Sequence, residues 1–270
     1  MALAWVINPQ QYQPGLLVTA QVIARIQPKN LSKFSWGSAD LRTMDPARVR
    51  ASFDTQLVEA TNFYHTVKAT LTSAADLTRL SASTLISAAT LWESFLSDLV
   101  VAYINRDPSR FAIHLKEALN QDLSGKQKQI LNRYAPYKAP TNIDRSTIVS
   151  LLDNDGNNIT FSQSQALKKG AKRWISDANM AGINALTGQQ MAIINLWIAL
   201  RNHIAHDSER SKLALQKAVS HGALHGTGLH RAQNAIHAPG VYLKSKHQQA
   251  GGVPRIEEIL RHMRQIAAAI

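Results

Sequence analysis

Cysteine is absent from all 270 residues, and that one absence removes disulfide scaffolds, thiolate nucleophiles and cysteine-based zinc sites together. Acidic residues are few beside basic ones: 18 Asp plus Glu stand against 30 Lys plus Arg, a formal net charge of +12. No uninterrupted apolar stretch approaches the roughly 20 residues needed to cross a bilayer. The amino terminus, Met1-Ala2-Leu3-Ala4-Trp5-Val6-Ile7, lacks a basic lead-in, and its apolar run breaks at Asn8-Pro9, unlike a secretory signal. Internal repeats and long single-sign charge tracts are also missing. These absences predict a soluble, cytoplasmic protein with no membrane partner.

What remains is ample for a core. Hydrophobic residues make up 45% of the chain, which argues against wholesale disorder, and the length fits one or two domains. The basic excess favours an anionic partner. Nucleic acid fits best, because phosphate contacts release counterions and supply affinity without reading sequence. A protein merely kept soluble by its charge is the plainer alternative.

Residues 1–44 are interrupted by Pro9, Pro14, Gly15, Pro28 and Gly37 and read as an irregular extension, within which Leu16–Ile23 fits a strand or a short helix equally. Helical signals begin at Asp45-Pro46, where an N-cap residue precedes a proline at N1. Val49, Phe53, Leu57, Ala60, Tyr64, Val67 and Leu71 then recur at steps of three or four, predicting a helix into the low seventies. A second helix is expected from about Ser83 to Asn105, ending before Asp107-Pro108. Two shorter helices divided near Ser124-Gly125, a proline-bearing connection at Pro136 and Pro140, and a helix over Asp144–Leu152 follow. Asp153-Asn154-Asp155-Gly156-Asn157 reads as a turn, since it lacks the EF-hand ligand ladder and its terminal Glu.

Gln163 to Met180 reads as a basic helix carrying Lys168, Lys169, Lys172 and Arg173, with Trp174 packing inward. Those four cations suit RNA phosphates, and suit an ordinary solvated face equally well. Thr187-Gly188-Gln189-Gln190 is a capping-box pattern that starts a further helix through Ile194, Trp197 and Leu200 towards His206, continuing helical to about Val219. Residues 220–253 are rich in Gly and His and read as a flexible basic segment. His221, His225, His230 and His237 also raise a metal-site alternative, which Gly222, Gly226 and Gly228 weaken. Residues 254–270 close the chain as an amphipathic helix.

Two elements carry a family likeness. The string Leu200-Arg201-Asn202-His203-Ile204-Ala205-His206-Asp207 places a His four residues beyond an Arg-Asn pair, and Ala88–Val100 contains Trp92-Glu93-Ser94-Phe95-Leu96. Together they resemble the HEPN superfamily of helical ribonucleases and their inactive relatives, in its RiboL-PSP branch, over about Ser83–Asp207. The resemblance implies an all-α, HEPN-like bundle over residues 45–219. It implies a metal-independent endoribonuclease acting on cellular RNA without a cofactor, used as a toxin or anti-phage effector. Arg201, Asn202 and His206 would be its catalytic residues and Glu93 a supporting one, or alternatively a surface residue of its helix. A homodimer is implied as well, and an antitoxin protein would be the partner of a toxin. Some relatives carry Tyr two positions after the motif His; here that position is Ser208, so features tied to that Tyr do not carry over.

The chemistry needs such groups. RNA cleavage without metal requires a base for the 2′-hydroxyl, an acid for the leaving 5′-oxygen, and positive charge for the phosphorane. Imidazole serves either proton role, and guanidinium matches phosphate oxygens. On one helix, however, positions 201 and 206 diverge by about 140° and meet a single phosphate awkwardly unless the long Arg bends round or the helix end loosens; the resemblance implies instead that two such helix ends meet in a dimer. His203 is turned away from Asn202 by about 100° and does not match the motif. Competing readings are a non-catalytic HEPN-like module that binds nucleic acid or protein, and a metallohydrolase built on the C-terminal histidines.

Overall fold

The computed structural model describes residues 45–120, 124–134, 143–152, 159–232, 236 and 238–270. Expectations for residues 1–44, for the connection at Pro136 and Pro140, for the turn at Asp153–Asn157 and for His237 lie outside them. Among the described residues the chain forms eleven α-helices and no strand, the all-α class.

Helix α1, Pro46–Thr70, starts with proline at N1 and buries Val49, Phe53, Leu57 and Tyr64 on one face. Helix α2, Ala74–Arg106, begins well before Ser83 because Ser73 caps it: its hydroxyl accepts a hydrogen bond from Asp76 N. Its 33 residues span about 50 Å. Contrary to the reading of apolar run lengths, α2 is long and apolar enough to cross a membrane, but most of that stretch is buried inside the bundle. An aromatic cluster explains why. Trp92 meets Trp197 edge-on with ring centres 5.0 Å apart, and Phe53 of α1 stacks on Phe95 at 4.5 Å. Both Trp rings are essentially fully buried, as expected for core residues.

Helices α3 (Ser109–Leu119), α4 (Gly125–Tyr134) and α5 (Arg145–Leu152) follow. Helix α5 is tied to α2 by Arg145, whose Nε donates to Asp98 Oδ1 at 2.8 Å. Burial raises the Asp98 carboxyl pKa, and the Arg145 bond opposes that rise. At the start of α5, Asp144 accepts from the Ser146 hydroxyl and from Thr147 N and Oγ1, which hold its carboxyl pKa at about 2. A carboxylate depressed in the folded state adds stability above its unfolded pKa of about 4 and loses it as pH falls towards 2. Asp144→Ala is therefore expected to cost about 1 kcal/mol near neutral pH. That penalty should shrink in melts between about pH 4 and pH 2; a penalty independent of pH would contradict the cap.

Helix α6, Ser164–Trp174, ends sooner than the expected Met180. Ile175 turns extended and is buried, and Ser176 and Asp177 start a 3₁₀ turn, Asp177–Asn179, that leads into the short α7, Ala181–Ala185. Ser and Asp side chains compete for backbone hydrogen bonds and favour such breaks. Helix α8, Gly188–His206, has the anticipated capping box at Thr187 and Gln190.

The helix does not run on to Val219. Asp207 adopts a left-handed conformation at φ 41 and ψ 38, and α9 begins afresh at Glu209–Val219. Asp is among the few residues that tolerate this region. Ser208 and Ser211 form a reciprocal capping box for α9.

In the Gly/His-rich stretch, buried positions alternate with exposed ones such as His221, His225 and Gly251. Leu224, Leu229, Tyr242 and Leu243 are buried, and the short α10, Pro239–Lys244, lies on α2. The contact is so close that a Cβ at Gly240 would stand 2.6 Å from Thr78 O. Arg255, fully buried at the start of α11 (Arg255–Ala269), donates from Nε to Gly228 O at 2.7 Å and lies over the Tyr242 ring. Helix α11 returns to α1 through Arg264–Asp54 and Lys68–Glu257 ion pairs at 2.6 and 2.7 Å. Leu224, Leu229, Tyr242 and Leu243, with the buried face of α11, thus contribute to the core.

Candidate active site

The last two turns of α8 lie against the middle of α2. Leu200 and Trp197 are buried and hold the helix down; Arg201, one position on, therefore emerges at the edge of the interface with Asn202 beside it. Arg201 Nη2 stands 3.5 Å from Glu93 Oε2, and Arg201 Nη1 donates to Asn202 Oδ1 at 3.0 Å. Both ion-pair partners are partly exposed, with side-chain exposures of 29% for Arg201 and 37% for Glu93, so solvent can reach the pair. Three of the four expected site residues come together here. The Asn202 side chain accepts from the guanidinium and so helps to orient it.

His206 is the last helical residue of α8 and is exposed. No hydrogen bond or ion pair joins it to Arg201, which agrees with their angular separation on the helix. The other histidine of the string behaves differently. His203 is buried, its Nδ1 lies 3.1 Å from Ser211 Oγ, and its Nε2 is 3.9 Å from Asp207 Oδ1. Ser211 is also half of the capping box of α9, so His203 fastens α9 to α8 while His206 stays free. Ser208, at the position where some relatives carry Tyr, is the other half of that box.

The basic helix α6 packs against α8 and leaves Lys169, Lys172 and Arg173 exposed. Lys168 does not join them: its Nζ donates to Asn184 O at 3.2 Å and Leu186 O at 3.1 Å, closing the end of α7. Trp174 is half-buried beside Phe161, at 6.2 Å between ring centres. The residue that sequence reasoning missed is Phe161. With Leu96, Ile159 and Ile198 it lines a small gap of about 10 Å³ between α2 and α8, and Glu93 and Arg201 are among the residues that line it. No periodicity marks Phe161, because it precedes α6 in non-helical chain.

Among the C-terminal histidines, the His225 and His230 rings stack at 3.8 Å, and His221 Nδ1 accepts from Ala223 N. Among the described residues no group of three or more His, Asp or Glu side chains is placed to hold a metal ion.

The Trp-Glu helix and the helix ending in Arg-Asn and His, the two elements of the HEPN resemblance, thus pack side by side in a helical bundle. The family described as RiboL-PSP-HEPN matches residues 53–222, more than half of the chain, and the chain belongs to that family. No curated protein and no solved structure matches it.

Proposed function

We propose that this protein is a metal-independent endoribonuclease of HEPN type. It acts on cellular RNA as a toxin or anti-phage effector, and as a homodimer in which the α8 ends of two subunits share one scissile phosphate. The observation that carries this reading is the pairing of Glu93 with Arg201 on the rim of the α2/α8 interface, one turn before an exposed His206 at the helix end. Arg201 supplies a planar, permanently charged donor set for the phosphate oxygens. His206 exchanges a proton with the 2′-hydroxyl or with the 5′-oxygen. As the 2′-oxygen bonds to phosphorus, the bond to the 5′-oxygen breaks and that oxygen takes a proton, leaving a 2′,3′-cyclic phosphate and a 5′-hydroxyl. Lys169, Lys172 and Arg173 on α6 hold the flanking backbone by charge.

Glu93 acts through Arg201, as a positioning residue. An exposed ion pair is worth up to about 1 kcal/mol; Glu93→Gln is accordingly expected to lower kcat by about fivefold at most with the melting temperature unchanged. Unaltered kcat would assign Glu93 to the solvated face of α2.

The reading is tested by incubating purified protein with total RNA in EDTA and mapping the cut ends. Cleavage that survives EDTA and leaves cyclic phosphate ends is expected. Cleavage abolished by EDTA would favour a metal-dependent hydrolase, and salt-sensitive RNA binding without cleavage would mark a non-catalytic HEPN module.

A further inference from the structure

We propose that residues 159–164 form a strap that fixes Arg201 against α2, and that Ser97 and Asn195, which fasten its two ends, are positioning residues for that guanidinium. This rests on the reading of Arg201 as a phosphate-holding group. The strap is non-helical until Ser164 opens α6. At one end Ile159 N donates to the buried Ser97 Oγ of α2 at 3.2 Å, and at the other Ser164 N donates to Asn195 Oδ1 of α8 at 2.8 Å. Packed helices stand about 8–10 Å apart, and five extended steps reach about 16 Å. The strap therefore joins the two helices that carry Glu93 and Arg201.

The burial pattern is that of chain laid along a surface. Buried Ile159 and half-buried Phe161 alternate with exposed Thr160 and Ser162, as alternate positions of extended chain point to one side. Ile159 and Phe161 line the gap of about 10 Å³ together with Glu93 and Arg201, so the inward side of the strap borders the ion pair. A space of that size holds about one water molecule; on this side the pair is backed by protein and not by bulk solvent. The fastenings are themselves held. Arg145 of α5 donates from Nη2 to Ser97 Oγ at 3.2 Å and from Nε to Asp98 Oδ1 at 2.8 Å, and Ser164 is fully buried. On α6 a Cβ at Gly170 would stand 2.8 Å from Phe161 Cε1, so glycine there leaves the room in which the strap lies. Ser97 is one turn beyond Glu93, about 6 Å along α2, and Asn195 is about 9 Å before Arg201 along α8. Both act at a distance, through the strap.

The test compares Asn195→Ala with Asn195→Asp, which keeps an acceptor for Ser164 N. Asn195 is only half-buried, so neither change empties the core. Asn195→Ala is expected to lower kcat on RNA by about threefold, the worth of one ordinary hydrogen bond, with KM within about twofold, while Asn195→Asp cleaves like wild type. In an Arg201→Ala background Asn195→Ala should alter the residual rate by less than about 1.5-fold, because no guanidinium remains to be placed. Ser97→Ala removes the other fastening and should act as Asn195→Ala does. Hydrogen exchange read by mass spectrometry is independent of cleavage: peptides covering the strap and the end of α8 should exchange faster by about threefold in both alanine variants, and at the wild-type rate in Asn195→Asp. An equal loss of kcat with and without Arg201 would overturn the positioning role, as would unchanged kcat in both Asn195→Ala and Ser97→Ala. Should wild type leave RNA intact while exchange follows this pattern, the strap is upheld and the nuclease assignment falls instead. Unchanged exchange in both alanine variants would overturn the strap.

Discussion

His206→Ala is expected to lower RNA cleavage by about 10²–10⁴-fold, the usual contribution of a positioned proton-transfer group, with the fold unaffected. The side chain is exposed at the end of α8 and holds nothing together, so stability should stay within about 0.5 kcal/mol of wild type. Arg201→Ala should cost a comparable 10²–10³-fold, the scale seen when one donor to a developing negative charge is removed. Arg201→Lys retains the charge but loses the planar fork and should recover little of that loss. His203→Ala separates chemistry from structure. It empties a buried position and removes the contact with Ser211 Oγ, so it should lower the melting temperature while residual folded protein still cleaves. Full cleavage in both His206→Ala and Arg201→Ala would remove the catalytic assignment.

The second large effect is on stability. Trp92 is 1% exposed and touches Phe53 of α1, Phe95 of its own helix and Trp197 of α8. Trp92→Ala therefore opens a cavity where three helices meet and should cost about 3–5 kcal/mol, a large share of the 5–15 kcal/mol available to a typical domain. Because the ring separates α2 from α8, the loss also slackens the interface that sets Glu93 against Arg201. Cleavage should fall even below the melting transition. Trp92→Phe keeps an edge in the cluster and should retain more of both properties. Denaturant titration checks this: a loss under about 1 kcal/mol for Trp92→Ala would show that the cluster is not what holds α8 to α2.

Much of the bundle was legible in the sequence because its signals are local. Asp45-Pro46 and the Thr187/Gln190 capping box mark true helix starts, and the apolar stripe of α1 names its buried face. The early start of α2 was less visible, since Thr78, Arg79, Ser81 and Ser83 dilute the apolar period after the Ser73 cap. The break between α8 and α9 depends on a left-handed Asp207 and on a Ser-Ser box, neither of which interrupts the hydrophobic pattern. Lys168 read equally as a phosphate ligand or a solvated residue, because nothing nearby in sequence reveals that the carbonyls of Asn184 and Leu186 lie within its reach. In the Gly/His-rich stretch the contacts of Gly228 with Arg255 and of Gly240 with Thr78 join residues far apart in sequence, which no local pattern reveals. The Arg/His string could be read directly, but the rim on which Arg201 sits is made of three separate segments and exists only in the fold.

The proposed shared site requires one guanidinium and one imidazole from different subunits to act on the same phosphate. The most direct test is to co-express Arg201→Ala and His206→Ala chains under different tags, purify the mixed dimer, and compare its cleavage rate with that of each variant alone. Arg201 of one chain and His206 of the other should restore activity well above both parents. A mixed dimer as inactive as its parents would contradict the shared site.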